Sequence, residues 1–326
     1  MASLPSSRAN YELWEVPGLH AISYAELFAE ELPEPEWMVE GLVPPGLTFI
    51  AGRPKIGKSW LALQLAQAVA SGREFLGRPT RQGAVLYYPL EDGRRRTRKR
   101  TQQQVWQGDE AVYFVFDGFR LANEGAVETL GWAIRTLGVR LVVIDSLSAA
   151  RQGDNYSENE AELAQLLYPL SQLGQAYNCA IVVVHHMGKL MREDPGLDLR
   201  GTSALFAACD AVIGLYRERG EELAKLLATG RDYEEDVSLA LRFLAAGLWV
   251  VAGGVEMVEA TRAEREILRV LKELDEADAE TIAEALGVTR SAVARRLPGM
   301  VKGGLLTERR EAARGRPHSY YSVSAV

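Results

Sequence analysis

Cysteine and histidine are scarce in this chain, with two and four copies among 326 residues. Two cysteines cannot build a disulfide framework or a cysteine-rich zinc site, and Cys179 opens an apolar stretch that suits a buried thiol. Long hydrophobic runs are absent. None approaches the roughly 20 residues that cross a bilayer, so no membrane partner is expected. The opening "MASLPSSRANYELWEVPG" has no apolar signal core, and a cytoplasmic location is the expectation. Lysine is rare beside arginine, 7 against 30, and acids outnumber both, leaving a net charge of −7. That deficit is uneven. Val288–Val326 holds eight Lys/Arg and two acids, a local +6 that leaves −13 for the rest. A basic end on an acidic body suggests contact with a polyanion.

What the chain does have is a regular alternation of apolar strands and amphipathic helices. Ser23 and Glu26 form a capping-box pattern opening "SYAELFAEEL". Then "GLTFIAG" reads as a strand, "KSWLALQLAQAVASG" as a helix, and "AVLYYPLE" as a strand followed by a basic helix. The strands "VYFVF", "LVVIDSL", "AIVVVHH" and "AVIGLY" follow with helices between, and "VSLALRFLAAGLWVVAGG" reads as a closing hairpin turning at Ala246-Gly247. Alternation of this kind predicts an α/β fold, a mostly parallel sheet with helices on both faces. The expected organisation is an N-terminal segment over 1–40, a large domain over 41–255 and a small module over 261–326.

"GRPKIGKS" has the spacing G-x-x-x-x-G-K-[ST], between a strand and a helix as that motif requires. Glycines let the backbone curl so that its N–H groups face a phosphate, and the following helix aims its positive end there. The residues expected to touch nucleotide are Gly52, Arg53, Pro54, Lys55, Ile56, Gly57, Lys58, Ser59 and Trp60. Lys58 supplies charge to the β and γ phosphates of ATP, and Ser59 a hydroxyl for Mg2+. Asp145 ends the strand "LVVID", where a carboxylate can orient the magnesium shell, partly through water. Glu91 and Asp92 end a second strand and are followed by a run in which six of seven residues, Arg94–Arg100, are basic. Parallel sheets gather their chemistry at the C-terminal ends of their strands. Either acid is therefore placed to act on the γ-phosphate, or to pair with the basic helix. His185 and His186 end a third strand. His185, the direct continuation of the strand, is expected to point inward, with His186 as the other nucleotide-facing candidate.

Taken in order, "GRPKIGKS", "PLED", "VIDSL", "VVHHMGK" and "LRGTSAL" resemble the RecA-like ATPases, and most of all the branch containing the hexameric plasmid replicative helicase RepA. The lead-in "EPEWMVEGLVPPGLTFIAGRPKIGKS" is similar to that branch as well, and the resemblance runs from about Ile22 to Gly254. It implies a six-membered ring with ATP between neighbouring subunits. By the same resemblance Glu91 activates water, Asp145 holds the metal shell and His185 or His186 senses the γ-phosphate. Arg200, in "RGTSAL", or Arg231, in "ATGRDYEED", reaches the neighbour's nucleotide. At the second site related helicases often place K-x-R, whereas Thr229 stands first here. The loops "SAARQGDNYSEN" and "GKLMREDPGLDL" would face a central channel, offering Arg151, Asn155, Tyr156, Lys189, Met191 and Arg192 to single-stranded DNA.

From Thr261 the pattern resembles a winged helix-turn-helix: three helices, then the hairpin "LLTERREAARGRPHSYYSV". Arg290, Ser291, Arg295, Arg296, Arg314 and Arg316 would face duplex DNA. Pro298 falls in the third helix, where it removes a hydrogen bond, and a protein-binding winged helix is the other reading. The function expected from the sequence is an ATP-hydrolysing motor on DNA, foremost a replicative helicase of a plasmid, phage or integrated element. An ATP-gated DNA-binding regulator or a recombination mediator without unwinding activity is the alternative.

Overall fold

A computed structural model describes residues 22–31, 35–116, 119–123, 125–151, 160–187, 192–199, 203–218, 220–260, 262–311 and 318–324. The chain divides into two compact units, Met1–Pro35 and Glu36–Val326. In the first, α1 (Tyr24–Ala29) starts at the predicted capping box: Ser23 Oγ accepts from the Glu26 N–H, and the Glu26 carboxylate accepts from the Ser23 N–H at 2.7 Å. It ends at Ala29 and buries no residue.

In the second unit β1 (Gly46–Gly52) leads into α2 (Lys58–Ser71), which stops at Gly72 in the left-handed conformation. Next come β2 (Ala84–Pro89), α3 (Arg94–Gln103), β3 (Val112–Phe114), α4 (Ala126–Leu137), β4 (Val139–Asp145) and the single turn α5 (Leu147–Ala150). The long helix α6 (Glu160–Ala176) precedes β5 (Ala180–His186), the short α7 (Pro195–Asp198), α8 (Ser203–Ala208) and β6 (Ala211–Tyr216). A meander of β7 (Leu223–Gly230), β8 (Val237–Phe243) and β9 (Trp249–Gly253) closes the sheet. The order is β3-β2-β4-β5-β1-β6-β7-β8-β9, parallel through β6 and antiparallel beyond it. Strand β7 was not expected from the sequence. "LAKLLATG" carries Lys225 and a terminal Gly, and only its place beside β6 makes it a strand.

Side chains alternate along each strand, so a buried strand feeds two cores. Ile50, Tyr87, Val143, Val182 and Val184 pack with α2 on one face. Phe49, Tyr88, Ile144, Ile181 and Val183 pack with α4 and α6 on the other. Parity thus decides which strand-end residues share a side with α2.

After α9 (Glu256–Glu259), the C-terminal part holds α10 (Arg262–Leu274), β10 (Glu276–Asp278), α11 (Ala279–Leu286), α12 (Arg290–Ala294), α13 (Leu297–Lys302), β11 (Leu306–Glu311) and β12 (His318–Val323). The single third helix expected there is two short ones, with Pro298 in the first turn of α13, where a missing N–H costs nothing. Strands β10, β12 and β11 form a small antiparallel sheet over a third apolar core, which also takes in Ala240, Met257 and Ala260. Among the described residues, no helix is long and apolar enough to cross a membrane.

Candidate functional site

The turn between β1 and α2 depends on two glycines. A Cβ at Gly52 would lie 2.6 Å from the Leu215 carbonyl oxygen. Gly57 has φ +109°, and a Cβ there would lie 2.8 Å from the Trp249 ring. Gly57 also caps α2 without a side-chain hydrogen bond, so the first N–H groups of a 14-residue helix are left for a ligand. Lys58 is 5% exposed, and its ammonium donates to the carbonyls of Gly52 (2.9 Å) and Arg53 (2.8 Å). Burial lowers its pKa to about 8, although Asp145 and Glu91 pull the other way.

Asp145 lies across the cavity, 5% exposed. Burial raises its pKa to about 6. Hydrogen bonds from Ser59 and from the Tyr87 hydroxyl, the latter 3.1 Å, oppose that shift, while the charges of Glu91 and Asp92 add to it. Glu91 is held by two hydroxyls, Ser146 Oγ and Ser148 Oγ, the latter at 3.2 Å. Lys58, Ser59, Glu91, Asp145 and Ser146 wall a cavity of about 450 Å³ with Lys55, Gly57, Trp60, His186 and Arg217.

His186 is the histidine beside Lys58, its Nδ1 3.3 Å from the ammonium nitrogen. The expectation that His185 points inward is corrected here. His185 shares parity with Ile181 and Val183, and its ring lies 5.8 Å from Phe49 on the opposite face. His186 shares parity with Val184, on the α2 side. Asp92 lines the cavity, but its carboxylate is engaged by Arg96 (2.8 Å) and Arg100. The strand-end acids therefore divide: Asp92 pairs with the basic helix, while Glu91 turns toward Ser146.

Arg231 is not brought to this cavity. It follows Gly230, which pairs with Ala211 at the start of β6, the end of the sheet away from Gly52 and His186. There it donates to the Ala207 carbonyl and lies 3.8 Å from Asp210. Arg200, Asn155, Tyr156, Lys189, Met191, Arg314 and Arg316 lie outside the described residues. The channel-loop candidates Arg151 and Arg192 are described, and the Arg192 N–H donates to buried Asp198 at 2.7 Å.

Sequence reasoning missed Tyr87, whose link to Asp145 follows from β2 and β4 being neighbours with Pro89 opposite Asp145. It also missed Trp249, whose Nε1 donates to the Gly57 carbonyl at 3.2 Å from an edge strand nearly two hundred residues away. Ser146 and Ser148 were legible in principle, as the two hydroxyls following Asp145.

The arrangement suits a polyphosphate with a hard divalent cation. A buried ammonium and uncapped helix N–H groups await negative charge, and a crowded buried carboxylate beside Ser59 awaits positive charge. Among the described residues, no three His, Cys, Asp or Glu side chains cluster to hold a metal by themselves. A cation here would therefore rely on phosphate oxygens and water as well, which is how magnesium is usually held.

Residues 18–191, just over half of the chain, match AAA_25, a family of AAA domains. The chain belongs to this family. It is similar to the DNA repair protein RadA of Streptococcus pyogenes serotype M6, 26% identical over 151 residues, which are 46% of this chain and 29% of that protein. The serotype M1 protein matches to the same extent. The chain thus spans about three tenths of the length of these curated relatives. Its fold resembles that of a DnaB-like replicative helicase studied with its primase, with a TM-score of 0.51 at 16% identity over 63% of this chain and 57% of that one. The RadB recombinase gives 0.46 at 20% identity, over 64% and 91%. The fold is thus RecA-like, with the phosphate-type loop between β1 and α2.

Proposed function

We infer that this chain hydrolyses ATP to drive or gate an action on DNA, with a replicative DNA helicase as the leading form. What supports the reading is the convergence of Lys58, Ser59, Glu91, Asp145 and His186 at one end of the sheet. Lys58 and the α2 N–H groups take the β and γ phosphates. Ser59, and Asp145 partly through water, would hold magnesium, which would neutralise charge on the phosphates. Glu91, oriented by Ser146 and Ser148, positions the attacking water and receives its proton. His186 hydrogen-bonds the γ-phosphate and so reports its presence. Arg200 or Arg231 completes a neighbour's site within a homo-oligomer, a hexamer by the likeness to RepA-like helicases.

The domain reading kept from the sequence is 1–40, 41–255 and 261–326, with the last a winged helix that meets duplex DNA. The relatives named as DNA repair proteins favour a second reading, a recombination mediator that binds DNA without unwinding it. The deciding experiment is ATP turnover by Lys58→Ala beside the wild-type chain. Turnover is expected to vanish with thermal stability retained, because little packing is lost. Undiminished hydrolysis would end the ATPase reading. ATP-dependent separation of a forked DNA substrate by the wild-type chain then divides helicase from mediator.

A further inference from the structure

Helix α3 carries basic side chains where helix physics disfavours them. Arg94, Arg95 and Arg96 fill its first turn, against the positive end of the helix dipole, and no acid lies in that turn. Arg94 with Arg98, and Arg95 with Lys99, are like-charge pairs at i,i+4, which also destabilise a helix. The helix turns by roughly 100° per residue, so Arg94, Arg98, Arg95 and Lys99 form one continuous exposed face. Arg96 and Arg100 lie on the next face and take Asp92. Thr97 is the buried anchor. The far end is pinned: Gln104 donates to the carbonyls of Trp60 (3.0 Å) and Gly247 (2.8 Å), and Gln103 to that of Ala245 (2.6 Å). Among the described residues, no ion pair involves Arg95, Arg98 or Lys99, and Arg94 rests over the Phe116 ring at 5.4 Å.

We propose that this outer face of α3 is a binding surface for the phosphate backbone of single-stranded DNA, separate from the channel loops and from the C-terminal basic region. The cations stand on a helix anchored at its far end, so little backbone order has to be gained on binding. Arginine forks onto phosphate oxygens. The face has no apolar side chain to form the centre of a protein–protein contact, whereas a polyanion needs only cations. The whole chain carries −7, so without these four cations the rest carries −11, and the stripe stands as a local positive field.

The proposal rests on the reading that the chain acts on DNA, and the test separates the two. Oligo(dT) binding to the full chain is measured by fluorescence anisotropy across a salt series, for wild type and for the triple variant Arg95→Glu, Arg98→Glu, Lys99→Glu. Each phosphate contact to a single strand contributes about 0.7 to the slope of log K against log salt, so the variant is expected to lose about 2 in slope and at least about tenfold in affinity. The three side chains lie outside the nucleotide cavity, so ATP turnover without DNA should be unchanged, which checks folding. The conservative variant Arg95→Lys, Arg98→Lys should retain the slope. Equal affinity and slope in wild type and triple variant overturn the proposal and leave the DNA reading standing. No binding by the wild type overturns both. A change in sedimentation without a change in DNA binding assigns the face to a second copy of the chain and also overturns it.

Discussion

Asp145 and Lys58 form a buried pair of opposite charges in which each group is held away from its usual titration. Asp145 has its pKa raised from 3.8 to about 6, so the stabilising effect of its protonated form is complete below the unfolded value and disappears as pH rises through about 6. Lys58 is lowered from 10.5 to about 8, so its effect is complete above the unfolded value and disappears as pH falls through about 8. Near neutrality both charges burden the nucleotide-free site. Asp145→Asn should therefore raise the melting temperature at about pH 7 by a few degrees, with most of the gain gone by about pH 4, and about 3 kcal/mol is the ceiling for a shift of this size. Thermal unfolding without nucleotide or divalent metal checks it, and equal gains at both pH values would count against the electrostatic account. The two histidines give a second contrast. His186→Ala should reduce ATP turnover by about tenfold or more, the worth of one lost hydrogen bond in the transition state. His185→Ala should instead appear as lost stability, since that ring packs beside Phe49. Turnover that suffers equally in both variants would argue against His186 as the phosphate contact.

The hairpin of β8 and β9 clamps the phosphate loop. Gln64, on α2, donates to the Trp249 carbonyl at 2.9 Å and accepts from the Trp249 N–H at 2.8 Å, while the Trp249 indole reaches Gly57. Gln64→Ala deletes two hydrogen bonds to an edge strand at about 1 kcal/mol each, so a loss of about 2 kcal/mol is expected. Nucleotide affinity should fall with it, because Trp249 packs on the loop. Thermal melts and nucleotide titration of the same variant measure both; a stability loss with affinity intact would show that the hairpin supports the sheet and not the loop. At this scale the sequence was legible where a local rule decided. The Ser23–Glu26 capping box and the end of α2 at Gly72 needed only neighbours in the chain. It was illegible where pairing decided, as for β7 beside β6 and for β10, three residues that become a strand through Tyr320–Ser322.

Across the whole chain, the two ends of the sheet carry different parts of the proposed machine. Lys58 stands at one end and Arg231 at the other, so Arg231 cannot complete its own chain's site and can act only on a neighbour's. Mixing Lys58→Ala subunits with Arg231→Ala or Arg200→Ala subunits tests this. Each interface needs a lysine from one chain and an arginine from the next, so random mixing should restore part of the ATP turnover for whichever arginine acts. A protein that works as a monomer shows no rescue with either. The C-terminal charge also looks different in three dimensions. Arg309 forks onto Glu276 (2.8 and 2.7 Å), Arg310 pairs with Glu308 (3.1 Å) and Arg290 lies 3.4 Å from Glu280. Arg295 and Lys302 are exposed and outside those pairs. Substituting both by alanine should lower the salt slope for duplex DNA by about 2, at roughly 0.9 per phosphate, and Arg309→Ala should lower it less. Equal slopes in all three chains would point this region toward a protein partner.

Read by itself, the sequence determined the α/β class, the phosphate loop and the strand-end acids, because each follows from spacing within one short stretch: a period-2 strand, a glycine turn, a helix start. What tertiary structure decided was which of two adjacent candidates faces the cavity. His186 prevails over His185 because β5 lies beside β1 with its even-numbered side chains toward α2. Both strand-end acids line the cavity, but Glu91 meets Ser146 and Asp92 meets Arg100 because those partners arrive from elements that sequence distance conceals. Spacing along one chain fixes which residues share an element; only the packing of one element against another fixes which of them meet.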